Sequence, residues 1–186
     1  MRLFIAIEIP PEIRATFAAH LKEFHAIAPQ LKWVRAENLH VTLKFLGETE
    51  NAKLSALQNV LSTVHSDQPV NLEFRGLGFF PNEKRPKVFW AGMGSSPNLK
   101  TLAADIDAAT HRLGFPLEQH LFTPHLTLAR FSAPGVPPKL LQAMQEKNTQ
   151  TFGSLQTREI RLIESKLKPT GAEYTTVQTF RFASEA

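Results

Sequence analysis

Two histidines stand in matching surroundings: His40-Val41-Thr42-Leu43 and, in the second half of the chain, His125-Leu126-Thr127-Leu128. Residues i and i+2 of a β-strand point the same way. In a strand, His40 and Thr42 therefore share one face while Val41 and Leu43 occupy the other, and His125 and Thr127 do the same against Leu126 and Leu128. Each motif then buries one face in a core and presents an imidazole and a hydroxyl on the other. If the two motifs face each other across a cleft, one imidazole can be neutral while the other is protonated, because the unperturbed pKa is about 6.5. A general base opposite a general acid suits in-line displacement at phosphorus. Thr42 and Thr127 can donate hydrogen bonds to the non-bridging oxygens, where negative charge develops. Nothing in this constellation requires a metal. The spacing puts no second ligand beside either histidine, and there is no HExxH motif or aspartate cluster.

Four other residues bear on such a site. Lys44 has the parity of His40 and Thr42, which would face it to the cleft as a phosphate contact; a solvated lysine at a strand end is the alternative. Arg130 follows the second motif, but in a regular strand it would point with Leu126 and Leu128, so it reaches the cleft only through a bulge or at the strand's end. Phe4 lies opposite the isoleucines of its strand and can offer a stacking face to a base, with core packing as the competing role. His120, just before the second motif, is a further candidate for the cleft wall.

The elements that must position these residues are legible as periodicities. Residues 2 to 9 alternate as a strand, with Leu3, Ile5, Ile7 and Ile9 on one face. Pro10-Pro11-Glu12 opens a helix whose apolar stripe is Ile13, Phe17, Leu21 and Phe24. Strands are expected over 31–34 and 40–45, the second closed by Gly47, then a helix over 50–65. An antiparallel pair is expected over 70–79 and 87–93, a helix from 97 to 113 stopped by Gly114, a strand from 125 to 131 and a short helix over 138–147. Residues 151–183 read as two further strand segments turning at Gly171. Short turns between strands require antiparallel pairing. The pattern is α+β, and no linker divides the chain, so residues 1–186 read as one domain.

Composition narrows the function classes. The 186 residues contain no cysteine, which excludes disulfides, thiolate catalysis and cysteine zinc sites. The formal net charge is +4, compatible with a polyanionic partner such as RNA. No apolar run is long enough for a transmembrane helix. The apolar N-terminus is cut short by Glu8, Pro10 and Pro11, which favours a strand over a signal peptide and a cytoplasmic location.

At these residues the chain resembles the 2H phosphoesterases, named for paired His-x-Thr/Ser-x motifs, and within them the RNA 2′,3′-cyclic phosphodiesterase branch, also called 2′-5′ RNA ligases. The blocks that carry the resemblance are Arg2-Leu3-Phe4-Ile5-Ala6-Ile7, Trp33-Val34, Glu37-Asn38-Leu39-His40 through Gly47, Phe122-Thr123-Pro124-His125 through Arg130, Glu164-Ser165-Lys166-Leu167 and Gly171-Ala172-Glu173-Tyr174. They occur in order along nearly the whole chain. The resemblance implies a bilobal α+β fold, with two pseudo-two-fold-related lobes of antiparallel sheet flanked by helices and the active-site cleft between them. It implies hydrolysis of an RNA 2′,3′-cyclic phosphate end to a 2′-phosphate, with His40 as proton donor, His125 as proton acceptor and no cofactor. It also implies the reverse, ATP-independent 2′-5′ joining of RNA ends. A monomer is expected, since the two motifs complete the site within one chain. The rival readings are a phosphodiesterase acting on 2′-5′ oligonucleotides or small cyclic nucleotides, and a non-catalytic RNA-binding module.

Overall fold

The computed structural model describes residues 1–184. Along the chain come β1 (Arg2–Glu8), α1 (Pro11–Ile27), β2 (Lys32–Trp33), β3 (His40–Glu48), α2 (Leu54–Ser62), β4 (Val70–Phe80), β5 (Val88–Ser95), α3 (Asn98–His111), β6 (His125–Arg130), α4 (Pro138–Glu146), β7 (Thr151–Thr157), β8 (Glu159–Lys168) and β9 (Gly171–Arg181). The strands form two sheets, one ordered β3-β1-β8-β9 and the other β2-β6-β5-β4-β7, with every ladder antiparallel. The fold is α+β.

The two sheets repeat one pattern. β1 and β3 are antiparallel neighbours joined through α1, and β5 and β6 are antiparallel neighbours joined through α3. β8 then flanks β1 as β4 flanks β5. Each connecting helix crosses to the other sheet. Phe17 and Phe24 of α1 pack against Phe74, Phe152 and Phe89 of the second sheet, while α3 lies against β3 of the first. The crossing explains why one apolar cluster runs from Leu3 and Ile5 through Phe17 and Phe24 to Phe89 and Leu126. It buries the helix-facing sides of both sheets; on the other face of the first sheet only a small cluster of Phe4, Ala6 and Ile163 is buried.

Most elements fall where the periodicity places them. β3 runs on past its expected end to Glu48, with Gly47 inside it at φ +70. The C-terminal stretch holds three strands instead of two. The segment Thr151–Thr157 pairs with β4 in the second sheet, and only after Arg158 does the chain return to the first. Alternation alone does not reveal that change of sheet, because both segments have period two.

Candidate active site

The open faces of the two sheets meet where the edge region of one, β3, abuts β6 of the other. His40 and Thr42 lie on one wall of a cleft of about 540 Å³, and His125 and Thr127 on the other. Both histidines are oriented by the same device. Nδ1 of His40 lies 2.7 Å from the Asn38 carbonyl, and Nδ1 of His125 lies 2.9 Å from the Thr123 carbonyl, in each case two residues back along the chain. A carbonyl only accepts, so Nδ1 must carry the proton, and in the neutral ring Nε2 is the free lone pair. Asn38 is itself held by its side-chain amide, which donates to the Ala172 carbonyl at 2.7 Å.

The environments differ. His40 packs on Phe4 (ring centroids 4.6 Å) and meets Tyr174 edge-on at 5.2 Å. Burial against these rings pushes its pKa below the ordinary histidine value; the Asn38 carbonyl opposes the shift and the nearby His125 reinforces it. His125 instead leans on the edge of Phe80 at 5.4 Å. Behind Phe80 stands Trp90, at 5.2 Å, lying over Gly78 and Gly92.

Both motifs carry a β-bulge at the same step. In the β1–β3 ladder Ala6 pairs with Thr42 and Ile5 with Lys44, so Leu43 is unpaired. In the β5–β6 ladder Trp90 pairs with Thr127 and Phe89 with Ala129, so Leu128 is unpaired. A bulge inserts one residue and reverses the parity beyond it. The extra residue decides which later side chains see the cleft. Arg130 comes onto the cleft face, near enough to Tyr174 on the opposite wall that its charge partly counters the burial that raises the phenol's pKa. Phe45, its counterpart in β3, is 50% exposed and lines the same cleft.

Two expectations are corrected by the same geometry. Lys44 is not a phosphate contact. The bulge turns it inward, its side chain is 1% exposed, and its ammonium is bound to Asp107 and to the Pro116 carbonyl at 2.8 Å. Phe4 does have the parity of the cleft side but offers no free face to a base. It is 1% exposed, covered by His40, Phe45 and Tyr174, and forms with Ala6 and Ile163 a small satellite cluster under His40. The residues that sequence reasoning missed are Phe45, Phe80, Trp90 and the anchoring carbonyls of Asn38 and Thr123. No local signal marks the bulges that place Phe45. His120 lines the cleft, as do Leu121 and Phe122 beside it.

Among the described residues no group of three or more His, Asp or Glu is placed to hold a metal ion, and no helix is long and apolar enough to cross a membrane.

Fold and site together define an α+β protein of two matched sheets whose paired His-x-Thr strands line one cleft. The family model for LigT-like phosphoesterases matches residues 7–90 and 94–174. The chain is similar to the RNA 2′,3′-cyclic phosphodiesterase of Archaeoglobus fulgidus, at 34% identity over 180 residues covering 97% of this chain and 99% of that one. It is similar to a solved structure from Thermus thermophilus (TM-score 0.77, 30% identity, 98% of each chain) and to E. coli LigT complexed with 3′-AMP (TM-score 0.76, 29% identity, 97% of each chain). The chain belongs to the LigT-like phosphoesterase family.

Proposed function

We propose that the protein is an RNA 2′,3′-cyclic phosphodiesterase that opens a terminal 2′,3′-cyclic phosphate to a 2′-phosphate, using His40 and His125 as its acid–base pair and no metal. The observation that carries this reading is the matched pair of imidazoles, each locked by Nδ1 to a backbone carbonyl and each lining the same cleft. Relatives named for this activity over nearly their whole length support it.

In the proposed step His125 Nε2 takes a proton from water as its oxygen attacks phosphorus. The P–O3′ bond breaks, and protonated His40 gives its Nε2 proton to the departing 3′ oxygen. The product is a 2′-phosphomonoester with a free 3′ hydroxyl, and the site returns to its starting state once the two rings exchange one proton with solvent. Thr42, Thr127 and Arg130 steady the non-bridging oxygens. With a 5′ hydroxyl in place of water, the same displacement joins two RNA ends through a 2′-5′ linkage. It needs no ATP, because ring strain supplies the driving force. The single chain contributes both motifs, so a monomer suffices, and residues 1–186 act as one bilobal domain. The absence of cysteine and the RNA substrate fit a cytoplasmic enzyme.

The test is hydrolysis of a short RNA with a 2′,3′-cyclic phosphate end, with chelator present, by the parent, His40→Ala and His125→Ala proteins. The parent is expected to form the 2′-phosphate, and each variant to lose roughly 10²- to 10⁴-fold. Full activity in either variant would remove that histidine from the chemistry. An inert parent would turn the reading to 2′-5′-linked or small cyclic nucleotide substrates.

A further inference from the structure

Lys44 is a buried cation that the proposed chemistry does not use. The internal repeat supplies the comparison that makes it informative. The equivalent of Lys44 in the second motif is Ala129, which is fully buried. A small apolar residue is therefore all that this bulge needs. A lysine there carries a desolvation cost that its partners must offset.

Those partners belong to α3 and to the segment that follows it. Lys44 belongs to β3, four residues beyond His40. Its ammonium binds Asp107 of α3 and the carbonyl of Pro116. Asp107 in turn accepts from the Glu118 backbone N–H, at 3.3 Å to each oxygen. Lys44 and Asp107 together thus grip residues 116 and 118, the stem of the segment that leads through His120, Leu121 and Phe122 to His125. The corresponding segment before β3 is fixed differently. It forms β2, which pairs with β6 through Lys32–Arg130 and Trp33–Ala129, and the Val34 N–H donates to the Leu128 carbonyl at 2.8 Å. The segment before β6 forms no strand. Over residues 119–122, among the described residues, no hydrogen bond ties it to another element, and Leu121 is 95% exposed. This segment lines the cleft together with Phe45 and with Ala103 and Ala104 of α3.

We infer that the Lys44–Asp107 pair is a positioning device for the nucleoside: it fixes the 116–123 segment, which lines the cleft with Phe45, and so sets the width of the part of the cleft that receives base and ribose. The inference rests on the proposed cyclic phosphodiesterase activity. In that arrangement the phosphate end is built by the two motifs and keeps its geometry without the pair. The nucleoside end depends on a segment whose stem the pair holds.

Lys44→Met keeps the length and apolar stem of the side chain and leaves Asp107 with its Glu118 contact. Two substrates separate positioning from general damage: a nucleoside 2′,3′-cyclic phosphate, and methyl riboside 2′,3′-cyclic phosphate, in which a methoxy group replaces the base. For the nucleotide the variant is expected to raise KM about 10- to 100-fold with a smaller change in kcat, and for the base-less diester to change kcat/KM less than about twofold. Chymotrypsin is expected to cut after Leu121 or Phe122 faster than in the parent at an unchanged melting temperature. Equal losses on both substrates, or no loss on either, would overturn the inference. Lys44→Met/Asp107→Asn, which leaves no unpaired charge, repeats the test if the single variant does not fold. If neither folds, the pair is a stability element and the inference fails. A parent that converts neither substrate overturns the activity itself, a result distinct from any of these.

Discussion

Gly78 is the most economical place to perturb the second histidine without touching the cleft. It pairs with Trp90 across the β4–β5 ladder, and the indole lies directly on it. A Cβ at Gly78 would stand 2.3 Å from Cζ2, 2.6 Å from Cη2 and 2.8 Å from Cε2 of Trp90. Ordinary contact begins near 3.4 Å, so Gly78→Ala forces the ring to retreat by about 1.1 Å. The indole is bounded by Phe80, whose ring also supports His125. Overpacking of this kind costs about 1–3 kcal/mol. A displacement of about 1 Å passed to a catalytic group costs up to about 100-fold in rate. Gly78→Ala is therefore expected to lower both the melting temperature and kcat/KM, the latter by about 10- to 100-fold. The assay is steady-state hydrolysis of a nucleoside 2′,3′-cyclic phosphate beside a thermal melt. Gly94→Ala, where nothing lies within 4 Å of the new Cβ, is the neutral control. Parent-like turnover in a Gly78→Ala protein with a clearly lowered melting temperature would refute the idea that Trp90 and Phe80 position His125.

Two further outcomes are expected. The pH profile of kcat/KM should be a bell. Burial lowers the pKa of His40, so the limb it governs lies below 6.5, the unperturbed value; a profile flat from pH 5 to 8 would count against the pair. Thr42→Val, Thr127→Val and Arg130→Met should each cost about 1–3 kcal/mol in the transition state, roughly 5- to 150-fold in kcat/KM and less than either histidine, if each donates to a charged phosphoryl oxygen. A change below about twofold in any of them would take that residue out of the phosphate site.

The motifs were legible because strand parity and histidine chemistry are both local. Period two alone places His40 with Thr42 and His125 with Thr127, and the described structure keeps both pairs on open sheet faces. Helix α1 was legible from its apolar stripe and α3 from its start at Pro97 and its stop at Gly114, but not that each covers the opposite sheet, since local signals say that a helix forms and not what it packs against. The failures at Lys44 and Phe4 share a non-local origin. A bulge depends on how a strand registers with its neighbour, and no residue in Thr42-Leu43-Lys44-Phe45 announces one. Parity counted through it assigned Lys44 to the cleft and concealed Phe45. The parity objection to Arg130 dissolves for the same reason. Phe4 was placed on the right face, but Tyr174, which helps to cover it, lies far along the chain in β9.

The repeat makes the two imidazoles alike in orientation, while their surroundings differ. Both rings donate Nδ1–H to a carbonyl two residues back, so the scaffold offers two free Nε2 atoms in the neutral state. Displacement at phosphorus needs one ring protonated and the other not. His40, packed between Phe4 and Tyr174, is biased toward the neutral form in the free protein. A donor role for His40 therefore requires the substrate to reverse that bias, and an anionic phosphodiester beside the ring favours imidazolium. The consequence is measurable: the His40 limb should move to higher pH in kcat, which reports the bound enzyme, than in kcat/KM, which reports the free one. If the limb stays in place on binding, the buried ring acts as the base, and the proton for the leaving oxygen comes from His125.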